Sequence, residues 1–168
     1  MNWLPVDHSR RALLRARLTP TESPHRPPWA ADGFEDLCTR CGSCLTACPE
    51  DILVVGDGGF PAVDFSRGGE CTFCGACAAA CAEPAFDVRR QPPWNQVARI
   101  DTSCLARNGV HCQSCAEVCA WGAIRFGLAL GAPPQPLLDT DACTGCGACV
   151  GVCPEQAVAV VHRESRHG

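Results

Sequence analysis

Sixteen of the 168 residues are cysteine, and they fall into four groups of four along the chain. Groups one, two and four have the spacing C-x2-C-x2-C-x3-C, which is typical of the thiolate ligands of [4Fe–4S] clusters. In this pattern three closely spaced thiolates bind one cluster, and the fourth binds a neighbouring one. We therefore expect four [4Fe–4S] clusters. The candidate ligands are Cys38, Cys41, Cys44 and Cys48 (group one), Cys71, Cys74, Cys77 and Cys81 (group two), Cys104, Cys112, Cys115 and Cys119 (group three), and Cys143, Cys146, Cys149 and Cys153 (group four).

Group three departs from this spacing, because seven residues separate Cys104 from Cys112. A longer loop can still return the Cys104 thiolate to the same cluster, although Cys104 is also the cysteine most open to a non-ligand role. The loop changes solvent access and the N–H groups near the sulfurs, and both affect reduction potential. We expect the group-three cluster to differ in potential from its partner. His111 precedes Cys112, but with so many thiols available we expect it to be a surface residue.

Two other uses of dense cysteines fit the sequence less well. Disulfides belong to oxidising compartments, and cysteines this close in sequence suit a disulfide framework poorly. Four-cysteine zinc sites usually consist of two separated C-x2-C pairs. The 46% hydrophobic fraction includes all 16 cysteines, so the remaining apolar core is small. We expect the clusters to complete that core and an apo form to be largely unfolded.

The segments between the groups alternate between predicted strands and turns. Residues 52–55 and 60–65 are predicted to form a hairpin around a Gly-rich turn at 56–59, because glycine reaches positive φ without steric cost. The same plan recurs with strands at 123–130 and 136–139 around a turn at 131–134. Further short strands are predicted at 85–88, 97–100 and 157–161. Each cysteine group leads into an Ala- or Gly-rich segment long enough for one or two helical turns.

A Pro-Pro pair at 92–93 interrupts this pattern, and consecutive prolines favour a linker. The sequence therefore predicts an N-terminal arm over 1–33, a first domain over 34–91 and a second domain over 96–163. Trp94 at the linker and Trp121 after group three are candidates for shielding clusters from water or for ordinary packing.

Each pair of neighbouring groups resembles a two-cluster bacterial ferredoxin. The resemblance implies an α+β protein of two tandem β-α-β-β-α-β domains. It also implies that the fourth cysteine of each group joins the other group's cluster: Cys38, Cys41, Cys44 with Cys81; Cys71, Cys74, Cys77 with Cys48; Cys104, Cys112, Cys115 with Cys153; and Cys143, Cys146, Cys149 with Cys119. Four-cluster subunits of molybdoenzymes instead pair the outer groups together and the inner groups together. The prolines at 92–93 favour pairing of adjacent groups.

The whole chain resembles the ferredoxin-type accessory proteins of periplasmic nitrate reductase systems. The similarity rests on Ser9-Arg10-Arg11 with Leu13-Leu14, on Arg26-Pro27-Pro28-Trp29, on Gly59-Phe60-Pro61 and on the loop that starts at Cys104. It implies a cytoplasmic protein that acts on the precursor of the nitrate reductase catalytic subunit before export, in iron–sulfur centre assembly or reduction. An electron-transfer subunit of another oxidoreductase and a cluster store or donor remain open alternatives.

The N-terminal arm resembles a twin-arginine export signal, but arginines and a proline follow the motif where such signals have an apolar stretch. We expect it not to be cleaved. It is either a solvated tail or a basic docking arm, because four arginines lie between residues 10 and 17 with no acidic residue among them.

Several function classes are excluded or disfavoured by composition. No apolar run reaches the roughly 20 residues of a membrane span. The net charge of −4 disfavours a general nucleic-acid binder. We found no catalytic triad, phosphate-binding loop or nucleotide-cofactor motif, so we expect an electron-transfer or accessory protein and not an enzyme.

Overall fold

A computed structural model describes residues 25–127, 131 and 133–163 of the chain. The basic segment at 10–17 lies outside the described residues, as does the end of the strand predicted at 123–130. The described part is a mixture of short helices and short antiparallel strands, in agreement with the predicted α+β class.

The first half contains one hairpin and three helices of four residues each. Strands β1 (Leu53–Val55) and β2 (Pro61–Val63) pair antiparallel, with Val54 opposite Ala62. A 3₁₀ turn at Asp57–Gly59 joins them, and Gly58 and Gly59 both have positive φ. This is the hairpin that the sequence predicts, with shorter strands. The helices are α1 (Phe34–Leu37), α2 (Ser43–Thr46) and α3 (Ala76–Ala79).

The second half contains two strand pairs and two helices. In chain order its elements are β3 (Gln96–Ile100), α4 (Ser114–Glu117), β4 (Ile124–Gly127), β5 (Gln135–Leu138), α5 (Ala148–Gly151) and β6 (Val158–His162). Strands β3 and β6 pair antiparallel, and so do β4 and β5. The valines of β6 explain its length, because β-branched side chains favour extended backbone. No helix in the described part of the chain has the length and apolar character of a membrane span.

The strand predicted at 85–88 is reduced to a single bridge between Ala30 and Phe86. Its partner segment begins with Pro27 and Pro28, which have no N–H group to donate to a ladder. Trp29 follows with φ at 61°, outside the strand region. Backbone pairing is therefore confined to the residues beside Trp29, and the buried ring of Trp29 contributes packing instead.

Each half has its own apolar core, and cysteines belong to both. The first core contains Ile52, Leu53, Val63 and Phe65 together with three buried cysteines. The second contains Ala98, Ile100, Ile124 and Val158, again with three buried cysteines. Val160 of β6 belongs to the first core, so the two halves pack against each other.

Candidate metal centres

The third cysteine of each group occupies the same structural position. Cys44, Cys77, Cys115 and Cys149 lie on the four-residue helices α2, α3, α4 and α5, and all four are buried. In groups one, two and four the first two cysteines precede the helix in a tight turn, and in all four groups the fourth cysteine follows it. A single turn of helix therefore separates the buried third thiol from the partly buried fourth thiol.

A left-handed glycine starts the helix in three of the four groups. Gly42, Gly75 and Gly147 have φ of 81°, 77° and 88°, a conformation that glycine adopts without a Cβ clash. Group three has Gln113 at this position, with φ of −137°. The altered spacing of group three is thus accompanied by an altered turn into its helix.

A second left-handed residue precedes the second cysteine in groups one, two and four. These residues are Arg40, Phe73 and Gly145, with φ of 60°, 53° and 71°. The backbone turn is the same in the three groups, but the side chain before the second cysteine is basic in group one, aromatic in group two and absent in group four. A charged side chain occurs at this position only in group one.

The structure brings the thiols of different groups together around recesses. Site I, of about 450 Å³, is lined by Cys38, Cys41, Cys44 and Cys81. Site II, of about 350 Å³, is lined by Cys48, Cys71, Cys74 and Cys77. Site IV, of about 340 Å³, is lined by Cys119, Cys143, Cys146 and Cys149. Each recess therefore combines three cysteines of one group with the fourth cysteine of its neighbour.

The remaining four cysteines, Cys104, Cys112, Cys115 and Cys153, define site III. Burial raises the pKa of the Cys115 thiol to about 11, and the nearby thiols of Cys104, Cys153 and Cys112 contribute in the same direction. The long loop is closed by Asn108, whose side-chain amide donates to the carbonyl oxygens of Thr102 and Cys104 at 2.8 and 2.9 Å. These bonds hold the buried Cys104 beside the other three cysteines despite the longer interval.

Burial is the main influence on the inner thiols. It raises the pKa of Cys71 and Cys149 to about 12 and that of Cys77 to about 11. Neighbouring thiols add to each shift, because a second thiolate nearby disfavours ionisation; for Cys77 and Cys149 they include a thiol of the adjoining site, Cys44 and Cys115 respectively. At the exposed edge of site I the hydroxyl of Ser43 instead lowers the pKa of Cys41.

The donor sets fit [4Fe–4S] clusters. Each site offers four thiols, which is the ligand set such clusters take, and Glu50 and Glu70 also line site II. Backbone N–H groups also donate to thiol sulfurs: Arg40 to Cys38 at 3.4 Å, Ala98 to Cys143 at 3.3 Å and Ala157 to Cys153 at 3.2 Å. N–H···S hydrogen bonds of this kind adjust cluster potentials.

Of the two roles that the sequence left open for Trp94, shielding of a cluster or ordinary packing, the structure shows packing. Although Trp94 directly follows the Pro-Pro pair, it is buried in the first core and contacts the rings of Phe65 and Phe73. Trp121 remains 57% exposed while lining site IV, and His111 is exposed, as expected.

The chain is similar to iron–sulfur proteins of known families. The family model for the 4Fe-4S dicluster domain matches twice, at residues 37–85 and 109–157. The ferredoxin-type protein NapF of Haemophilus influenzae is 51% identical over 137 residues, covering 80% of this chain and 77% of that protein. NapF of Escherichia coli K12 is 41% identical over 157 residues, covering 92% and 95%. The methylamine utilization ferredoxin-type protein MauM of Methylobacillus flagellatus is 34% identical over 174 residues, covering 91% and 74%.

Proposed function

The chain belongs to the NapF family of ferredoxin-type proteins, and we infer that it assists the maturation of the periplasmic nitrate reductase catalytic subunit. Its two 4Fe-4S dicluster domains carry four [4Fe–4S] clusters. In this role the protein binds the unexported precursor in the cytoplasm and assembles or reduces the precursor's iron–sulfur centre. It supplies electrons or clusters and catalyses no substrate reaction of its own.

The proposed ligands are the four thiols of each site. The observation that carries this assignment is the composition of the three recesses, in each of which the fourth cysteine of a group lies with three cysteines of the neighbouring group. This favours pairing of adjacent groups over pairing of outer with outer and inner with inner. We also propose two ferredoxin-like β-α-β-β-α-β domains, at 34–91 and 96–163, preceded by an arm over 1–33. The bridge between Ala30 and Phe86 joins the end of that arm to the first domain.

Iron, sulfide and zinc counting on anaerobically purified protein tests the ligand assignment. We expect roughly 16 iron atoms and as many sulfides per chain, since each [4Fe–4S] cluster holds four of each. Tightly bound zinc in place of iron would overturn the assignment. Because this measurement needs no partner, it can fail or succeed independently of the maturation role.

Exposed cysteines support exchange of electrons with a bound partner. Cys41 at site I and Cys74 at site II are exposed, whereas the third cysteine of each group is buried. A cluster held there lies at the surface on one side and in the core on the other. Both exposed thiols belong to the first half, which follows directly from the N-terminal arm.

Anaerobic pull-down with the cluster-loaded protein tests the maturation role. One bait is the cytoplasmic precursor of the nitrate reductase catalytic subunit, and the other is its mature exported form. We expect capture by the precursor alone. Binding to the mature form, or to neither, would overturn the maturation role and favour a stable electron-transfer subunit or a general electron carrier.

A second round of pull-down assigns the docking segment. Replacing Arg10, Arg11, Arg15 and Arg17 with alanine should abolish capture if the arm docks on an acidic surface of the precursor. The matched control replaces four exposed arginines of the described chain, Arg67, Arg89, Arg107 and Arg125, and should leave capture unchanged. Equal losses in both variants would indicate a general charge effect and not a docking arm.

A further inference from the structure

Sites II and IV touch each other across the boundary between the two halves. The backbone N–H of Cys71 donates a hydrogen bond to the carbonyl oxygen of Cys146 at 2.7 Å. Cys71 lines site II, and Cys146 lines site IV. One hydrogen bond therefore links a proposed ligand of one site directly to a proposed ligand of the other.

A second contact reinforces the same boundary. The indole N–H of Trp94 donates to the carbonyl oxygen of Thr144, which lies between the first two cysteines of group four. The ring of Trp94 packs edge-on against Phe73, whose centroid is 5.4 Å away and which lies between the first two cysteines of group two. Trp94 thus contacts both cysteine loops, one through its ring and the other through its indole N–H.

Glycines allow the backbones to approach closely at this boundary. A Cβ on Gly147 would lie 2.1 Å from the ring of Phe65, and a Cβ on Gly151 would lie 2.5 Å from the Cα of Gly68. No larger residue fits either position without moving the facing segment. The close packing of group four on the segment before group two is therefore built into the sequence.

Within each half, two sites are joined through their helices. Helix α2, with Cys44 of site I, packs against α3, with Cys77 of site II. Helix α4, with Cys115 of site III, packs against α5, with Cys149 of site IV. Among the described residues, those lining site I all come from the first half, and the Asn108 contacts that close site III stay within the second. Sites I and III are thus the outer sites.

We propose that the four sites form one electron relay in the order I, II, IV, III, crossing between the halves at the Cys71–Cys146 hydrogen bond. Cys71 and Cys146, as proposed ligands of sites II and IV, would hold the two clusters next to each other here, and the clusters, when bound, would supply one-electron carriers, so that the electron lost by one is gained by the other. No bond breaks and no co-reactant is needed. The inference rests on the ligand assignment under Proposed function but not on the maturation role.

Electron paramagnetic resonance on two matched variants tests this order. Cys41 and Cys74 are both exposed, and both are the second cysteine of their group. Cys41→Ala removes the site I cluster, and Cys74→Ala removes the site II cluster, each leaving roughly 12 iron atoms per chain. Both proteins are photoreduced anaerobically with a deazaflavin, and the wild type is the reference. Retention of all four clusters in either variant would overturn the ligand assignment and the relay with it.

The relay predicts opposite spectra for the two variants. In Cys74→Ala the site I cluster has lost its only reduced neighbour, so it should give an isolated, uncoupled spectrum. In Cys41→Ala the site II cluster still lies beside site IV, so its signal should remain broadened by magnetic coupling. The proposal would be overturned by an uncoupled site II signal in Cys41→Ala. It would also be overturned by a Cys74→Ala spectrum that lacks an uncoupled site I signal.

Equivalent variants in the second half test the same order if the first-half variants do not incorporate clusters. Cys146→Ala removes site IV and should leave site III isolated, whereas Cys112→Ala removes site III and should leave site IV coupled to site II. An isolated site IV spectrum in Cys112→Ala would show that the halves are not electronically connected at this boundary. Because all four proteins are measured without any partner, failure here is distinguishable from failure of the pull-down.

Discussion

Trp94 and Thr144 are joined by a hydrogen bond of 2.7 Å from the indole N–H to the threonine carbonyl, although 50 residues separate them. The bond ties the segment between the two halves to the cysteine loop of site IV. Since Trp94 also belongs to the first core, this residue couples the stability of both halves.

Replacing Trp94 should therefore release clusters from both halves. Trp94→Ala removes a buried ring, which typically costs about 3–5 kcal/mol. Trp94→Phe keeps an aromatic ring but leaves the Thr144 carbonyl without its donor, at a cost of about 1–3 kcal/mol. The measurement is the guanidinium concentration at which half of the cluster absorbance is lost anaerobically, and it should fall in the order wild type, Phe, Ala.

Trp121→Ala is the matched control for this series. Trp121 is 57% exposed, so its removal should change the midpoint much less than the removal of Trp94. A larger effect at Trp121 than at Trp94 would mean that shielding of site IV, and not the boundary contact, limits stability.

Arg40 should raise the reduction potential of the cluster at site I. Its guanidinium lies 5.0 Å from the centroid of Phe60, donates to the carbonyl of Gly58 and lines the recess. A positive charge there favours the more negative, reduced cluster. Arg40→Gln should lower the potential of one cluster by roughly 10–40 mV, because exposed charge pairs are worth up to about 1 kcal/mol.

Potentiometric titration followed by paramagnetic resonance measures this shift. Arg89→Gln is the control, since Arg89 is exposed, pairs with Asp87 and lines none of the three recesses. An unchanged potential in Arg40→Gln, or equal shifts in both variants, would contradict a local effect of Arg40.

Asn108 should govern how firmly site III keeps its cluster. Asn108→Ala removes two hydrogen bonds to the carbonyls of Thr102 and Cys104, each worth about 1 kcal/mol. With the long loop loosened, one of the four clusters should be lost first when an iron chelator is added. Iron content against time measures this. The control is Asn95→Ala, which removes a longer hydrogen bond of 3.3 Å to the carbonyl oxygen of Arg163 and should lose iron at the wild-type rate. Uniform loss of all four clusters from Asn108→Ala would contradict a specific role of Asn108 at site III.

Removal of the clusters should leave the chain largely unfolded. Six cysteines are buried among the core residues, and four of them, Cys44, Cys71, Cys77 and Cys149, line recesses that no side chain fills. Cluster binding is then part of the folding free energy. Circular dichroism of the reduced apo protein during heating should show no cooperative transition, whereas a sharp one would show that the cores suffice alone.

Alkaline pH should weaken whatever structure the apo chain retains. Burial raises the pKa of Cys71 and Cys149 from the ordinary 9.0 of a thiol to about 12, so the folded apo chain holds protons that the unfolded chain releases. The stabilising effect is complete below pH 9 and is lost as pH rises toward 12. Residual ellipticity of the apo protein should fall over this interval. The cluster-loaded protein, whose ligating thiols are already deprotonated, should not change there.

Local sequence signals predicted the elements that depend on local chemistry. The β1–β2 hairpin follows from valines flanking Gly58 and Gly59, and the pairs β3–β6 and β4–β5 lie where the sequence predicts strands. The prediction of a strand at 85–88 was wrong, because the length of a strand there depends on a partner segment that begins with prolines. Strand pairing depends on both segments, so Phe86 and Val88 alone did not show that the partner segment could form only one bridge.

In the sites, too, features set by local sequence were predicted, and features that depend on a distant segment were not. The recesses gather the cysteines that the resemblance to two-cluster ferredoxins groups together, because the spacing within a group already fixes which thiols share a turn. The boundary contact of Trp94 was not predictable, since the adjacent prolines indicate a linker and a single tryptophan carries no periodicity. Likewise, the altered turn at Gln113 depends on the longer group-three loop and its folded path.

The proposed exchange of fourth cysteines has a consequence for the order in which synthesis completes each set of thiols. Site I has all four proposed ligands only when Cys81 has been added, and site II is complete at Cys77. In the second half, site IV is complete at Cys149 and site III at Cys153. Each half thus completes its two sets of thiols almost together, and the first half does so before Cys104, the first proposed ligand of the second half, is added.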